Sequence, residues 1–576
     1  MSKREFKFSE DYEIRVKIKL ECFDSEIHGI LKLLNSNMPK LEFDSLSGVG
    51  FGTVVLSDNE KECLNCESET HNYKLYKNES LADDIWPRYV IQGKDIDYAQ
   101  GVEVLLSGLS EWIDQKTYFN ITDAEIKKDR PEKVFDEIIQ YGGNEYRISS
   151  NYNCSINKKI DRDYLFSETT TVSLINTKGN ISLEEAESLS YKVNTLFSLL
   201  LVAPLSVESA WVVDKDGKNR KPFYFSTVGQ SNPPYRNTLE CLMHPDRVSN
   251  DIGWRTIFSN YFSDEKADTF ESMWSRMPTL LSYSGTWDFQ ILGYVSILDS
   301  YCSKHASKKG KKLNKKDYKC LKSYLILIVD NYLEDLGGDY KEVLSSFKEG
   351  IEGVKNTNLP TFREKYDFML DSIDQGVRKI VNLSISEFKE IKSIRDSAAH
   401  GLPIKTREKR NISYEFSLKD RLLVLLTYLV FKDFGISPAE FATSLKNTLS
   451  KFVRNSGINT IERDKLIGTV PFWEVDEKSF NQAKESNNIY VGVEFEKSSK
   501  MHKFSIPITS ECQSWLARRE PKEKNLIDYI KKVLFESDEV DIEYINQAYL
   551  VHGGDTIELS GVCRVSYYNI DGARLD

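Results

Sequence analysis

The chain has 576 residues, 40% of them hydrophobic, with a formal net charge of −11 and a pI near 5.5. That is enough apolar material for three or four domains, and the acidic balance excludes a protein that binds nucleic acid over its whole surface. Nine scattered cysteines exclude a disulfide scaffold and point to reduced thiols in a cytoplasm.

Met1-Ser2-Lys3-Arg4-Glu5 leads into charged alternation and not an apolar core, so no secretory leader is expected. The apolar run from Leu196 to Pro204, broken by Ser198, is too short to span a bilayer, so no membrane partner is expected. Strict alternation over Tyr12-Glu13-Ile14-Arg15-Val16-Lys17-Ile18-Lys19-Leu20 predicts a half-buried strand. Residues 49–56, 73–76, 88–92, 145–149 and 169–174 are β-like as well, which makes residues 1 to about 175 β-rich. Cys63-x2-Cys66 followed by His71 offers three zinc ligands but no fourth at knuckle spacing, so thiols beside a strand are expected and no metal. Gly48-x-Gly50-x-Gly52 lacks the following helix that a phosphate loop needs, and no cofactor is expected. Ser182, with Glu185 at capping distance, opens a helix running to Val202, and Asp214-Lys215-Asp216-Gly217 reads as a hairpin loop. These elements complete a first domain over residues 1–275.

From Trp287 to Cys302 an apolar-rich helix is expected, with Phe289, Leu292, Val295, Leu298 and Cys302 on one face and Asp299 beside it. Helices over 318–336, 341–354, 361–373 and 418–434 follow, so residues 280–445 read as an all-α bundle. The loop between its first two helices holds a lysine tract from Lys304 to Lys319, including Lys308, Lys309, Lys311 and Lys312. A second basic group, Lys405, Arg407, Lys409 and Arg410, follows residue 400. Both could meet phosphates, against the plain alternative of solvated loops. Residues 455–576 carry strand-like stretches at 490–495, 504–508 and 556–568 and a helix at 526–535, a small α+β domain suited to dimerisation or sensing.

The most informative stretch is Ile394-Arg395-Asp396-Ser397-Ala398-Ala399-His400-Gly401. Ser384 and Glu387 have capping-box spacing, Phe388, Ile391 and Ile394 carry the apolar period, and Gly401 and Pro403 supply the stop. Arginine offers a permanently charged planar fork for a phosphate, and histidine gives and takes protons near neutral pH. Five residues turn a helix through roughly 140°, so Arg395 and His400 diverge unless the helix ends between them. Two copies meeting across a two-fold axis make a better site than one, which implies a dimer. By spacing alone, a solvated arginine and a structural histidine remain the ordinary alternative.

An α-bundle with Arg-x4-His, an Asp after the Arg, a Gly after the His and a long apolar helix beyond resembles a HEPN domain, a ribonuclease module. The N-terminal half resembles the N-terminal domain of ApeA-type anti-phage HEPN proteins. The residues that carry this second resemblance are Leu41-Glu42-Phe43, Gly52-Thr53-Val54-Val55-Leu56, the helix from Ser182 to Val202 and Trp254-Arg255-Thr256-Ile257-Phe258. Carried onto this sequence, the resemblance makes Arg395 and His400 the catalytic pair. Asp396 becomes the polar residue after the Arg, and Asp299 falls where such bundles often carry an acid on the first helix, although a glutamate is the usual residue there.

The chemistry implied is attack of a ribose 2′-hydroxyl on the adjacent phosphorus, leaving a 2′,3′-cyclic phosphate without a metal. His400 would act as general acid or base and Arg395 would hold the developing charge. The resemblance implies abortive infection by cleavage of tRNA or other host RNA, a homodimer through the bundle and a phage-derived trigger protein. The rival reading is a non-catalytic HEPN dimerisation or regulatory module, and a third is a sensor whose effector is another chain.

Overall fold

The computed structural model describes residues 6–23, 25–43, 55–81, 84–93, 99–113, 119–121, 126–128, 133–158, 164–214, 219–230, 232–305, 313–336, 338–354, 356, 360–402, 412–486, 488–497, 499–518, 525–535 and 540–567. It has a β-rich N-terminal part, a helical middle and a small C-terminal α+β part. The chain divides into two compact units. The first comprises residues 1–374, 383–437 and 447–457, and the second comprises 375–382, 438–446 and 458–576.

The N-terminal strands are β1 (Tyr12–Ile18), β2 (Ile27–Leu33), β3 (Lys40–Phe43), β4 (Cys63–Glu67), β5 (Asn72–Leu81), β6 (Asp84–Gln92) and β7 (Gly101–Leu106). They continue with β8 (Phe119–Ile121), β9 (Ile126–Lys128), β10 (Asp136–Tyr141), β11 (Asn144–Lys158), β12 (Tyr164–Asn176), β13 (Val207–Val213) and β14 (Arg220–Phe225). The order β6-β3-β2-β1-β4-β5 returns on itself because β5 also pairs antiparallel with β6, from Tyr73 opposite Gln92 to Leu81 opposite Asp84. This ring is a six-stranded barrel, and closure leaves it without an open edge. β1 shows why its sequence alternates: Tyr12, Ile14, Val16 and Ile18 point inward while Glu13, Arg15 and Lys17 meet water. Cys63 and Cys66, three apart on β4, project to opposite faces and do not converge on one ion. Among the described residues no group of three or more metal-ligating side chains comes together.

Beyond β3, the same edge of β6 pairs with β14, and the sheet runs on as β14-β13-β7-β12-β11-β10. Helix α1 (Leu183–Leu201) packs on β7 and β13 with Leu189, Val193, Leu196 and Leu200 buried, and Ser182 caps it by accepting from the Glu185 N–H. Val202, the residue at its end, takes the left-handed conformation with φ 54°. Helix α2 (Trp254–Tyr261) closes the domain, with Trp254 tilted against Phe135 and Phe197 and Phe258 edge-on to Phe135. The hairpin expected around residues 214–217 is formed by β13 and β14. The strand expected at 49–56 and the glycines at 48, 50 and 52 lie largely outside the described residues.

The helical part of this unit comprises α3 (Trp287–His305), α4 (Lys315–Leu336), α5 (Lys341–Gly353), α6 (Phe362–Ser372), α7 (Ile385–Ala399) and α8 (Ile412–Phe434), with shorter helices before α3. Against α3 pack α6, α7 and α8. The expected face of α3 needs correction: Phe289 is exposed, and the buried stripe is Ile291, Tyr294, Val295, Leu298, Tyr301 and Cys302. Tyrosines 294 and 301 fill the core here, which moves the buried stripe off the expected line. Helices α4 and α5 form a hairpin held by Lys348 on Asp330 at 2.7 Å and by Lys322 Nζ donating to the Glu352 carbonyl at 2.6 Å. No helix among the described residues is long and apolar enough to cross a membrane.

At the C-terminal end of α8, Asp433 is buried and accepts from Trp274 Nε1 at 2.7 Å, while Lys266 Nζ donates to its carbonyl. Burial raises the Asp433 carboxyl, opposed by Trp274, His305, Lys266 and Lys432. With a folded pKa above the unfolded one, native protein holds this proton longer, so stability falls as pH rises from the ordinary aspartate value through the raised one. Asp433→Asn keeps an acceptor for Trp274 and removes that loss. Its stability relative to wild type is expected to increase between pH 4 and 7 in paired denaturant titrations, and a constant difference would rule this cause out.

The second unit has strands β15 (Phe472–Glu474), β16 (Val491–Glu496), β17 (Met501–Ser505), β18 (Val540–His552) and β19 (Asp555–Tyr567) in the order β15-β18-β19-β16-β17. A helix at Ile506–Leu516 and another at Leu526–Leu534 bury Ile508, Cys512, Tyr529 and Ile530 on Val540 and Val565. The strand expected through Ile508 therefore stops at Ser505. Pro507 sits in the first helical turn, where its missing N–H costs nothing. The unit also recruits Gln375–Val381, which packs on Thr460–Ile467, and Pro438–Asn447, whose Lys446 lies 3.5 Å from the buried Asp464.

Candidate active site

Helix α7 begins with the expected capping box: the Ser384 hydroxyl accepts from the Glu387 N–H at 3.2 Å and the Ser384 N–H donates to Glu387 Oε2 at 2.8 Å. Phe388, Ile391, Ile394 and Ala398 form the buried stripe. Glu387 also pairs with Arg421 of α8 at 2.9 Å, and Arg421 Nε donates to the Ser456 carbonyl at 2.9 Å. Both side chains are largely out of water, so the start of α7 is pinned to α8 by a charge pair with its hydrogen bonds satisfied.

The other end of α7 carries the expected pair. The Leu402 N–H donates to the Ser397 carbonyl at 2.9 Å and the Gly401 N–H to that of Ala398 at 3.3 Å, with Gly401 at φ 62°. This is a Schellman closure around a left-handed residue that only glycine adopts cheaply. His400 is the C-cap, at φ −99° and ψ 5°, so it leaves the helical path one residue after Ala399. Its side chain is exposed.

Arg395 follows the buried Ile394 at the margin of the packed face, half-buried, with Nη1 2.9 Å from Asp396 Oδ1. Arg395 and Asp396 are thus joined, and His400 lies just beyond the last helical turn. Asp299 of α3 has other company. Its Oδ1 accepts from Ser303 at 3.5 Å and lies 3.8 Å from Lys365 Nζ, which donates to Ser303 at 2.8 Å. Among the described residues, no hydrogen bond or ion pair joins Asp299 to Arg395 or Asp396. Lys365, a residue of α6 that the sequence did not single out, holds Asp299 instead. Lys308, Lys309, Lys311, Lys312, Lys405 and Arg407 lie outside the described residues.

Three of the buried cysteines are poor nucleophiles. Burial pushes the thiols of Cys66, Cys241 and Cys302 up to about 12, where almost no thiolate exists at neutral pH. A concavity of about 380 Å³ lies on the N-terminal sheet beside Thr171, Trp211 and Arg220. There Arg220 stacks on Trp211, and its Nη1 donates to the buried Glu103 at 3.0 Å.

Comparison with curated proteins gives no match, nor does comparison with solved structures. The family model of the ApeA N-terminal domain 1 matches residues 5–261, ending with the last residue of α2. Residues 5–261, from the barrel through the extended sheet and α1 to α2, are therefore similar to an ApeA N-terminal domain, and over that part the chain is ApeA-like.

Proposed function

We propose that this protein is a defence endoribonuclease whose helical part is a HEPN module, and that Arg395 and His400 cleave RNA without a metal. The observation that carries this reading is the end of α7: a Schellman turn presents an exposed His400 five residues after a half-exposed Arg395 held by Asp396. The nucleophile is the ribose 2′-hydroxyl of the substrate. His400 takes its proton, or gives one to the departing 5′-oxygen, while the Arg395 fork neutralises the non-bridging oxygens. Asp396 orients the fork. Asp299, held by Lys365 and Ser303, sits on the helix packed against α7 and acts as a positioning residue.

Lys308, Lys309, Lys311 and Lys312, with Lys405 and Arg407 just after the site in sequence, would supply local phosphate contacts on a chain that is acidic overall. Two copies would bring two Arg395–His400 sets together. The substrate class is tRNA or other cellular RNA, cleaved after a phage-derived trigger. DNA, which has no 2′-hydroxyl, would not be cut.

The test is purified full-length protein with total RNA in EDTA, followed by sequencing of fragment ends. Discrete cuts with 2′,3′-cyclic phosphate ends are expected. Cuts of comparable rate in DNA, or ends bearing a 3′-hydroxyl, would refute the mechanism. Absence of cleavage together with absence of toxicity on overexpression would favour the non-catalytic regulatory module.

A further inference from the structure

In the second unit the helix Ile506–Leu516 lies close on its sheet, and one residue permits it. A Cβ on Gly492 of β16 would lie 2.3 Å from Ile508 Cβ and 3.0 Å from the Thr509 nitrogen, so only glycine fits beneath this helix. The helix is tied down on both sides of that contact. The Gly492 N–H donates to Thr509 Oγ1 at 2.9 Å, and Gln513 Nε2 donates to the Tyr490 carbonyl at 2.7 Å. Cys563 of β19 stands opposite Gly492 in register, so its side chain leaves the sheet on the same face. On the helix Ile508, Thr509 and Cys512 share the buried side, and Cys512 lies one turn beyond Ile508. The two cysteines therefore meet. Cys512 and Cys563 are wholly buried in one apolar core with Ile508, Tyr529, Ile530 and Val565, and a hydrogen bond joins their thiols.

A disulfide needs its Cα atoms within roughly 7 Å, so a helix and the strand beneath it can share one only where their backbones draw close. Gly492 supplies that approach beside Cys563. The hydrogen bond between the thiols also separates their roles. By donating to Cys563, Cys512 draws the Cys563 thiol below its ordinary value against the opposing effect of burial, while the donor itself is pushed up. One sulfur is thus the better nucleophile and the other stands ready to resolve. Both are out of water, which favours a small oxidant over a bulky disulfide. We propose that Cys512 and Cys563 are a redox modification site, converted by hydrogen peroxide to a disulfide that staples the helix to β19. The Cys563 thiolate attacks one peroxide oxygen, the O–O bond breaks, and water leaves with the thiol proton, giving a sulfenic acid. Cys512 then attacks that sulfur, the S–S bond forms, the S–O bond breaks, and a second water carries off the Cys512 proton. Two thiols are oxidised and one peroxide is reduced to two waters. The bridge encloses residues 513–562, which hold the helix Leu526–Leu534 and β18, and so removes freedom from the unfolded chain. This holds whether or not Arg395 and His400 cut RNA.

The experiment treats the full chain in native buffer with hydrogen peroxide, removes the excess with catalase, and blocks remaining thiols with N-ethylmaleimide in denaturant before peptide mass mapping. A peptide joining Cys512 to Cys563, lighter than its two parts by two hydrogens and separated by dithiothreitol, is expected. In scanning calorimetry the transition of the second unit should rise by about 5 °C or more on oxidation and return on reduction. Cys512→Ala should abolish that rise. The exposed Cys22 and Cys320 report that the oxidant has acted. Recovery of Cys512 and Cys563 as blocked thiols from protein in which Cys22 and Cys320 are oxidised would overturn the proposal. So would a bridge from either residue to a different cysteine, a native-state bridge that lowers the transition, or a rise that persists in Cys512→Ala. No arm reads cleavage, so failure here leaves the nuclease reading standing, and loss of that reading leaves this one.

Discussion

Replacing His400 by alanine is expected to lower RNA cleavage by roughly 10²–10⁴-fold, the range for removal of a positioned general acid or base. Thermal stability should hardly change, because the ring is exposed at a C-cap and the helix closure uses backbone groups and Gly401. Arg395→Ala should cost roughly 10²–10³-fold, as for loss of one oxyanion donor, and Arg395→Lys should recover only part, since an ammonium lacks the planar fork. Gly401→Ala is the informative companion. At φ 62° an alanine is strained by about 1 kcal/mol, so the turn that presents His400 should loosen, lowering both stability and cleavage. The two readouts therefore separate roles, with activity falling alone at 395 and 400 and both falling together at 401. Cleavage that persists in both alanine variants would move the active site elsewhere.

Acidification should destabilise the C-terminal unit through His502. Its imidazole is stacked between Trp473 at 4.5 Å and Phe495 at 4.6 Å and is almost wholly buried. Burial, helped by the Arg564 charge, lowers its pKa to about 4. The unfolded chain takes up this proton near pH 6.5 and the folded unit does not, so the stability present above the unfolded value is lost as pH falls from about 6.5 to about 4. The loss is at most about 3 kcal/mol, a large share of the stability of a unit this size. His502→Phe keeps the aromatic stack and removes the titrating group, so its denaturation midpoint should be flat across that window. Tryptophan fluorescence from Trp473 and Trp515 follows the transition, and a variant with the wild-type acid slope would exonerate His502.

What could be read from the sequence was local in origin. The alternation of Tyr12 to Ile18 needs only the two-residue period of a strand, and the N-caps at Ser182–Glu185 and Ser384–Glu387 need only three residues of chain. The end of α7 was legible for the same reason, since Gly401 and the apolar period fix it. Closure of the barrel was not, because nothing near Tyr73 announces that its strand pairs with β6 along one edge and with β4 along the other. Asp299 shows the same limit within the site. Its place beside the buried face of α3 was legible, but its attachment to Lys365 is a contact between helices whose facing cannot be read from either alone. The strand drawn through Ile506-Pro507-Ile508 failed because two isoleucines look β-like, whereas a proline in a first helical turn is equally well placed.

The C-terminal unit is assembled from three separated lengths of chain, 375–382, 438–446 and 458–576, and this has a practical meaning for anyone who would remove it. Scission at any one junction leaves it tethered by the remaining crossings, so a protease that nicks the chain near residue 455 would not set it free. A shortened protein ending there would still carry Val377, Ile380, Phe441 and Leu445, all buried in the intact molecule, with the body of their unit gone. Such a deletion would report on insolubility before it reported on biology. The unit can be interrogated by point changes within its own core, but not by cutting it away.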